Sequence, residues 1–175
     1  MNGGNKGFTL IELLVVTSLF GVLMTLVSGL FVTSLNTEQN ILNTKRVLGE
    51  VSYASEYITR ALRMAEKDHS GACISPGFTY EITGRNGLKF INSLRDYQCQ
   101  EFYLESQQIK TDIEGIISNL TSDSIVVSDL DFLISGASES DNLQPFVTIL
   151  IESYMAKSSK VNIQTSVSQR NPDIR

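Results

Sequence analysis

The residues of this chain that could do chemistry are few, and the most unusual of them is Glu12. This carboxylate lies near the start of an apolar segment, and no second charge follows it until Glu38. Placing a lone carboxylate inside a bilayer costs about 2.5–3.5 kcal/mol on insertion scales. A sequence that keeps such a group in an apolar helix indicates that the carboxylate has a cationic partner and a function.

Cys73 and Cys99 are the only cysteines, and they lie 26 positions apart. Neither belongs to a C-x-x-C motif, and His69 is the only histidine, so the ligand set of a zinc site is missing. In an oxidising compartment we expect a Cys73–Cys99 disulfide, which the chain-entropy description values at roughly 3.5 kcal/mol. Two buried free thiols are the alternative.

The remaining titratable residues predict no catalytic centre. Asp123, Asp129 and Asp131 could suggest calcium, but their spacing lacks the glycine and the final glutamate of an EF-hand loop, so we interpret them as solvated acids. His69 is also expected to be solvated. Since the chain has no glycine-rich phosphate loop, nucleophile elbow or zinc helix, we expect no cofactor, no metal and no enzymatic activity; a membrane-anchored enzyme is the remote alternative.

The charge of the chain argues against nucleic acid as its partner. The 175 residues carry a net charge of −5 with a pI near 4.9. Nucleic-acid backbones are bound by clustered Lys and Arg, and no basic run of five or more residues is present, so nucleic acid is an unlikely partner. The hydrophobic content of 42% is concentrated at the N-terminus, and the rest of the sequence is soluble in character.

The elements that must position these groups begin with an uncharged stretch, 13–37, which is long enough to span a bilayer. Its polar residues are small, and their hydroxyls can bond to carbonyls of the preceding helical turn. They include Thr17, Ser18, Thr25, Ser28, Thr33 and Ser34. The stretch is too long for a typical signal-peptide core, and no small-x-small cleavage site follows it, so any cut is expected before it.

Gly7-Phe8-Thr9-Leu10-Ile11-Glu12 resembles the processing site of type IV pilins and of the pseudopilins of type II secretion. The resemblance implies that a prepilin peptidase and N-methyltransferase cuts between Gly7 and Phe8 and methylates the new amino terminus of Phe8. Residues 1–7 would then be a leader peptide, and Glu12 would be the acid that this family uses in assembly.

The physical chemistry of this motif agrees with that expectation. Cleavage would free an α-amine on Phe8 that is largely protonated near neutral pH. Phe8 and Glu12 are four residues apart and share one helix face. The ammonium, of the same subunit or, as the resemblance favours, of a neighbouring one, would offset the cost of the buried carboxylate. Glu12 would then set the axial register of subunits in a filament.

The resemblance also implies partners and a location. We expect other pilin subunits in a helical filament, an inner-membrane assembly platform, and a single-pass protein of the inner membrane with its C-terminal domain outside the cytoplasm. A type IV pilus subunit is favoured over a secretion pseudopilin of the periplasm. A minor subunit is favoured because 165–171 resembles the last strand of minor pilins and pseudopilins. A filament-displayed module that binds DNA or a surface is the further alternative.

Helical periodicity continues beyond the apolar stretch and predicts one helix over 9–67, ending near Gly71. The predicted stripe of its second half is Ile41, Leu48, Val51, Ala54, Ile58, Leu62 and Ala65. The predicted organisation is therefore a leader (1–7), a transmembrane or filament-core helix (8–37), an amphipathic continuation (38–70) and a β-rich domain outside the cytoplasm (71–175).

After Gly71 the pattern changes to alternation and predicts strands. We expect two strands, at 78–82 and 88–91, joined by a turn at 84–87. A third strand is expected at 99–104, or as far as 109. A fourth is expected at 125–134, with a break or bulge at 128–129. A polar loop (135–144) precedes a closing hairpin of 146–155 and 160–168. Residues 111–122 fit either a short helix or a packed loop. The predicted class is α+β, with an antiparallel sheet covering the amphipathic half of the helix.

Overall fold

A computed structural model describes residues 7–136 and 144–170 of the chain. The described residues form one long helix, a short 3₁₀ helix (Ser93–Arg95) and nine strands, which confirms the predicted α+β class. The elements are α1 (Leu10–Arg63), β1 (Ala65–Glu66), β2 (Glu81–Ile82), β3 (Leu88–Asn92), β4 (Gln98–Glu105), β5 (Gln108–Ile113), β6 (Ile116–Asn119), β7 (Val126–Ser135), β8 (Phe146–Tyr154) and β9 (Val161–Ser168).

The strands form two antiparallel sheets. The first has the order β1-β3-β4-β5-β6, with β2 also paired to β3, and the second has the order β7-β8-β9. At their junction the backbone N–H of Val127 donates to the carbonyl of Gln107 at 3.0 Å. The turn that joins β4 to β5 is therefore hydrogen-bonded to the start of β7.

Contacts divide the chain into an N-terminal unit, Met1–Ile41, and a C-terminal unit, Leu42–Arg175. In the C-terminal unit one core joins the helix to both sheets, through residues such as Ile58, Phe90, Phe102 and Ile149, all fully buried. The predicted boundaries at 7/8, 37/38 and 70/71 stay predictions.

The buried stripe of α1 differs from the predicted one in its first turns. Ile41 and Leu48 are exposed, and Val47 is buried instead. Val47 lies near the middle of the helix face that also buries Val51 and Ile58, whereas Leu48 is about 100° further round the helix and lies at the edge of that face. The predicted stripe is correct from Val51 to Leu62; Ala65 is buried as well, but it lies in β1 and not in the helix.

The prediction that the helix continues to residue 67 is wrong, because α1 ends at Arg63. Its last carbonyls are taken by groups far along the chain rather than by a further helical turn. The Tyr80 hydroxyl donates to the Leu62 carbonyl (2.8 Å), and the Arg170 N–H donates to the Arg63 carbonyl (2.9 Å). The carbonyl of the next residue, Met64, accepts both the N–H (3.0 Å) and the hydroxyl (2.8 Å) of Ser93. Ala65 and Glu66 pair instead with β3.

The prediction of a short helix or packed loop at 111–122 is also wrong, since β5 and β6 form a hairpin there. Glu114 and Gly115 both have positive φ, 51° and 87°, as a two-residue hairpin turn requires. The Asp112 carboxylate accepts the Gly115 N–H at 2.8 Å. The extension of the third strand to 109 is interrupted by a turn at Ser106 and Gln107, which divides β4 from β5.

The other strand predictions hold with small changes. The turn at 84–87 joins β2 to β3, the register shifts between Val127 and Asp129, and β8 and β9 form the closing hairpin. The strand predicted at 78–82 is shorter, because the Phe78 carbonyl accepts the Asp68 N–H and is part of a loop. Within the predicted loop at 135–144, residues 137–143 lie outside the described residues.

Candidate functional site: the N-terminal segment and the disulfide loop

The first turn of α1 is capped by Thr9. The Glu12 N–H donates to the Thr9 hydroxyl at 3.3 Å, and the Leu13 N–H donates to the Thr9 carbonyl at 3.2 Å. Thr9-x-x-Glu12 has the spacing of a capping box, and this signal could have identified Thr9, whose role the sequence analysis missed. The cap fixes the start of the helix at Leu10, two residues beyond the predicted cut between Gly7 and Phe8.

Gly7, Phe8 and Glu12 are all exposed, and the Phe8 side chain is 75% accessible. No atom lies within 4 Å of the position that a Cβ on Gly7 would occupy. The Gly7–Phe8 bond is thus exposed within the described part of the chain. Glu12 has no cationic partner among the described residues, and most of the predicted leader, residues 1–6, lies outside them.

The N-terminal unit exposes its apolar side chains instead of burying them. Residues 8–35 include a long series of exposed Leu, Val, Ile, Phe and Met, and α1 contains a stretch long and apolar enough to cross a membrane. Hydroxyls in this stretch bond to carbonyls three or four residues earlier, as predicted. The donors seen to do so include Thr17, Ser18, Thr25, Ser28 and Thr33. The unit therefore presents a continuous surface suited to lipid or to neighbouring helices.

The second pair of predicted site residues lies in the C-terminal unit, where Cys73 and Cys99 form a disulfide with a Cα–Cα distance of 5.6 Å. Cys99 belongs to β4 and pairs with Ile91 of β3. Cys73 lies in the loop between β1 and β2. The disulfide thus fastens this loop to the middle of the first sheet.

The same loop is organised by Asp68, which is 1% exposed. Its carboxylate accepts the backbone N–H groups of Ser70, Gly71, Cys73 and Ile74 at 2.7–3.1 Å, and the Ser70 hydroxyl as well. Burial by itself would raise the pKa of this carboxyl, but the backbone hydrogen bonds outweigh burial and hold the pKa well below its usual range.

We expect Asp68→Asn to lower the free energy of unfolding by about 1.5–3 kcal/mol at pH 7, because an amide cannot accept all of these donors. Since the folded-state pKa is lowered, the contribution of Asp68 is complete above the ordinary carboxyl pKa of about 3.9 and is lost as the pH falls below it. Tyrosine fluorescence during denaturant unfolding at pH 7 and pH 2.5 should show the gap between wild type and variant narrowing in acid.

Asp123→Asn is the matched control, since Asp123 is an exposed loop acid. Its effect should stay within about 0.5 kcal/mol at both pH values. A gap for Asp68→Asn that is equally large at both pH values would contradict the role given to the ionised carboxylate.

No group of three or more His, Cys, Asp or Glu side chains within 7–136 and 144–170 is arranged to hold a metal ion.

Residues 2–28 match a family model described as the prokaryotic N-terminal methylation motif. The match covers Gly7, Phe8 and Glu12 and residues 13–28 of the apolar stretch. No curated protein and no solved structure matches the chain. The match supports the resemblance of the N-terminal segment to type IV pilins and pseudopilins, and the C-terminal unit is interpreted from its own structure.

Proposed function

We propose, from the premise that this chain carries the methylation motif of type IV pilins and pseudopilins, that it is a structural subunit of a pilin-like filament. The observation that carries the proposal is the motif at the start of a helix whose apolar surface is uncovered within the described chain. A prepilin peptidase would cut between Gly7 and Phe8, and Phe8 would be N-methylated. The exposed apolar side chains would then pack against other subunits.

Glu12 is the assembly residue in this proposal. It lies in the first turn of α1, where the positive end of the helix dipole favours a carboxylate. The ammonium of Phe8 on a neighbouring subunit would complete the neutralisation once the leader is removed. The pairing exists only after cleavage, so processing and assembly would be coupled.

The proposed location is the inner membrane, with the C-terminal unit outside the cytoplasm. The Cys73–Cys99 disulfide supports this orientation, because disulfides persist in oxidising compartments and are rare in the cytosol. The proposed partners are the prepilin peptidase and N-methyltransferase, other pilin subunits and an inner-membrane assembly platform.

Within this class we favour a minor subunit of a type IV pilus, with a type II secretion pseudopilin as the alternative. The motif is common to both. The presence of a retraction ATPase beside the gene would favour the pilus, and a secretin without a retraction motor would favour secretion.

The test is intact mass analysis of the protein expressed with an active prepilin peptidase and with a catalytically inactive one. We expect loss of residues 1–7 and one methyl group on Phe8 with the active enzyme only. A chain that stays uncut, or a cut beyond Ser34, would remove the pilin interpretation.

A further inference from the structure

Three arginines near the C-terminal end of α1 have no carboxylate partner within the described residues. They are Arg63, Arg95 and Arg170, all exposed. The other described arginines, Arg46, Arg60 and Arg85, each lie within 4 Å of a glutamate oxygen. In a chain with a net charge of −5, arginines without an ion pair that lie together require a separate explanation.

The fold brings these arginines to one place, although they are far apart in sequence. The Arg170 N–H donates to the Arg63 carbonyl, and both side chains line a shallow depression with Met64 and Leu94. Leu94 also borders a second depression, which Arg95 and Tyr57 line. We call Tyr57, Arg63, Met64, Leu94, Arg95 and Arg170 the arginine surface.

The composition of the arginine surface is typical of a protein interface. Leu94 is 71% exposed and lies between the arginines. Arg, Tyr and Met are enriched where proteins meet, whereas an exposed leucine gives a nucleic-acid phosphate nothing to bind. Glu66 also lines the edge of this surface, beside Arg63 and Arg170, without being within ion-pair distance of either. The surface therefore keeps an excess of positive charge.

A complementary surface lies on the outer face of the second sheet. Asp129, Asp131 and Leu133 alternate along β7, so their side chains lie on the face opposite the core residues Leu130 and Phe132. Leu133 is 60% exposed, and the two aspartates have no cationic partner within the described part of the chain. The cross-strand neighbours of Asp131 and Leu133 on β8 are Leu150 and Thr148. We call Asp129, Asp131 and Leu133 the acidic face.

We propose that the arginine surface of one copy of this chain docks on the acidic face of a second copy. Each surface has an exposed leucine beside charges that have no ion pair among the described residues, and the charges of the two surfaces are opposite. The two surfaces are different, so the contact between the two copies is head-to-tail. The inference rests on the proposed filament function and adds a contact between the C-terminal units.

The test uses the full-length chain in membranes of cells that contain an active prepilin peptidase. One tagged copy carries Leu94→Cys and a second copy carries Leu133→Cys, and mild oxidation should join them into a dimer. The control replaces Leu133→Cys with Ile117→Cys, an exposed position on β6 with similar accessibility (53%). We expect at least about tenfold more dimer with Leu133→Cys than with the control.

Charge exchange then separates this contact from a chance encounter of exposed cysteines. Arg63→Glu with Arg170→Glu on the first copy should reduce the dimer at least about tenfold, because like charges would meet. Asp129→Arg with Asp131→Arg on the second copy should do the same. Combining both sets should restore the dimer.

Three results would overturn the docking proposal or separate it from the filament function. Equal cross-linking with the control, or loss that the combined exchange does not restore, would overturn the docking proposal. Binding of a short single-stranded oligonucleotide that depends on Arg63 and Arg170, without a Leu94–Leu133 dimer, would also overturn it. Mass analysis of the same samples reports cleavage and methylation, so failure of docking is distinguishable from failure of the filament function.

Discussion

Glu12→Ala subunits are expected to be cleaved normally and to be almost excluded from filaments. The predicted pairing of Glu12 with the Phe8 ammonium of a neighbour lies in an apolar environment. Breaking such a pair by removing one partner costs about 3–5 kcal/mol, which corresponds to a weakening of association by about a hundredfold or more. This is the largest effect that we expect from a single substitution in the N-terminal unit.

Cleavage should survive because the substitution spares the local structure. The cap of α1 uses the backbone N–H of Glu12 and the Thr9 hydroxyl, and alanine keeps that backbone group. The Gly7–Phe8 bond stays exposed in either case. The measurement is the fraction of processed subunit found in sheared filaments, with the membrane fraction as reference.

Two further variants test whether the charge of Glu12, rather than its size, is required for assembly. Glu12→Gln keeps the size of the side chain and removes its charge, so it should behave like alanine if the ion pair matters and like wild type if packing alone matters. Glu38→Ala removes the next acid along the chain and serves as the control. Normal filament entry of processed Glu12→Ala subunits would refute the register function of this carboxylate.

The second large effect is expected from the disulfide. Cys73→Ser with Cys99→Ser should lower the free energy of unfolding of the C-terminal unit by about 3.5 kcal/mol, since the cross-link removes loop entropy from the unfolded chain. The loop between β1 and β2 would still be held by Asp68, whose carboxylate bonds to the Cys73 N–H at 2.7 Å. We therefore expect loss of stability rather than loss of the fold.

Tyrosine fluorescence is a clean probe for this measurement. All six tyrosines lie between Tyr53 and Tyr154, within the C-terminal unit, and the chain has no tryptophan. Denaturant unfolding of the full-length chain in detergent should show a lower midpoint for the double variant. A reducing agent should shift wild type to the same midpoint and leave the variant unchanged. Equal midpoints of oxidised wild type and the double variant would contradict the stabilising role.

The strand and turn predictions succeeded where local residues determine backbone conformation. The turn at 84–87 contains Asn86 with a φ of 52°, a left-handed conformation that asparagine adopts more readily than most residues. The same reasoning failed at 111–122, where Ile113, Ile116, Ile117 and Leu120 have a spacing that also suits a helix. Pairing of β5 with β4 settles the choice, and such pairing involves residues that a local pattern does not identify.

The sequence by itself identified the N-terminal segment, because the methylation motif and the apolar helix depend on residues that are adjacent in the chain. Gly7, Phe8 and Glu12 could therefore be selected as candidates from their types and spacing alone, and their roles stay predictions. The tertiary structure alone decided the end of α1, the caging of Asp68, and the grouping of Arg63, Arg95 and Arg170. Each of these depends on hydrogen bonds or packing between distant segments, whose free energy is gained only when the whole C-terminal unit folds.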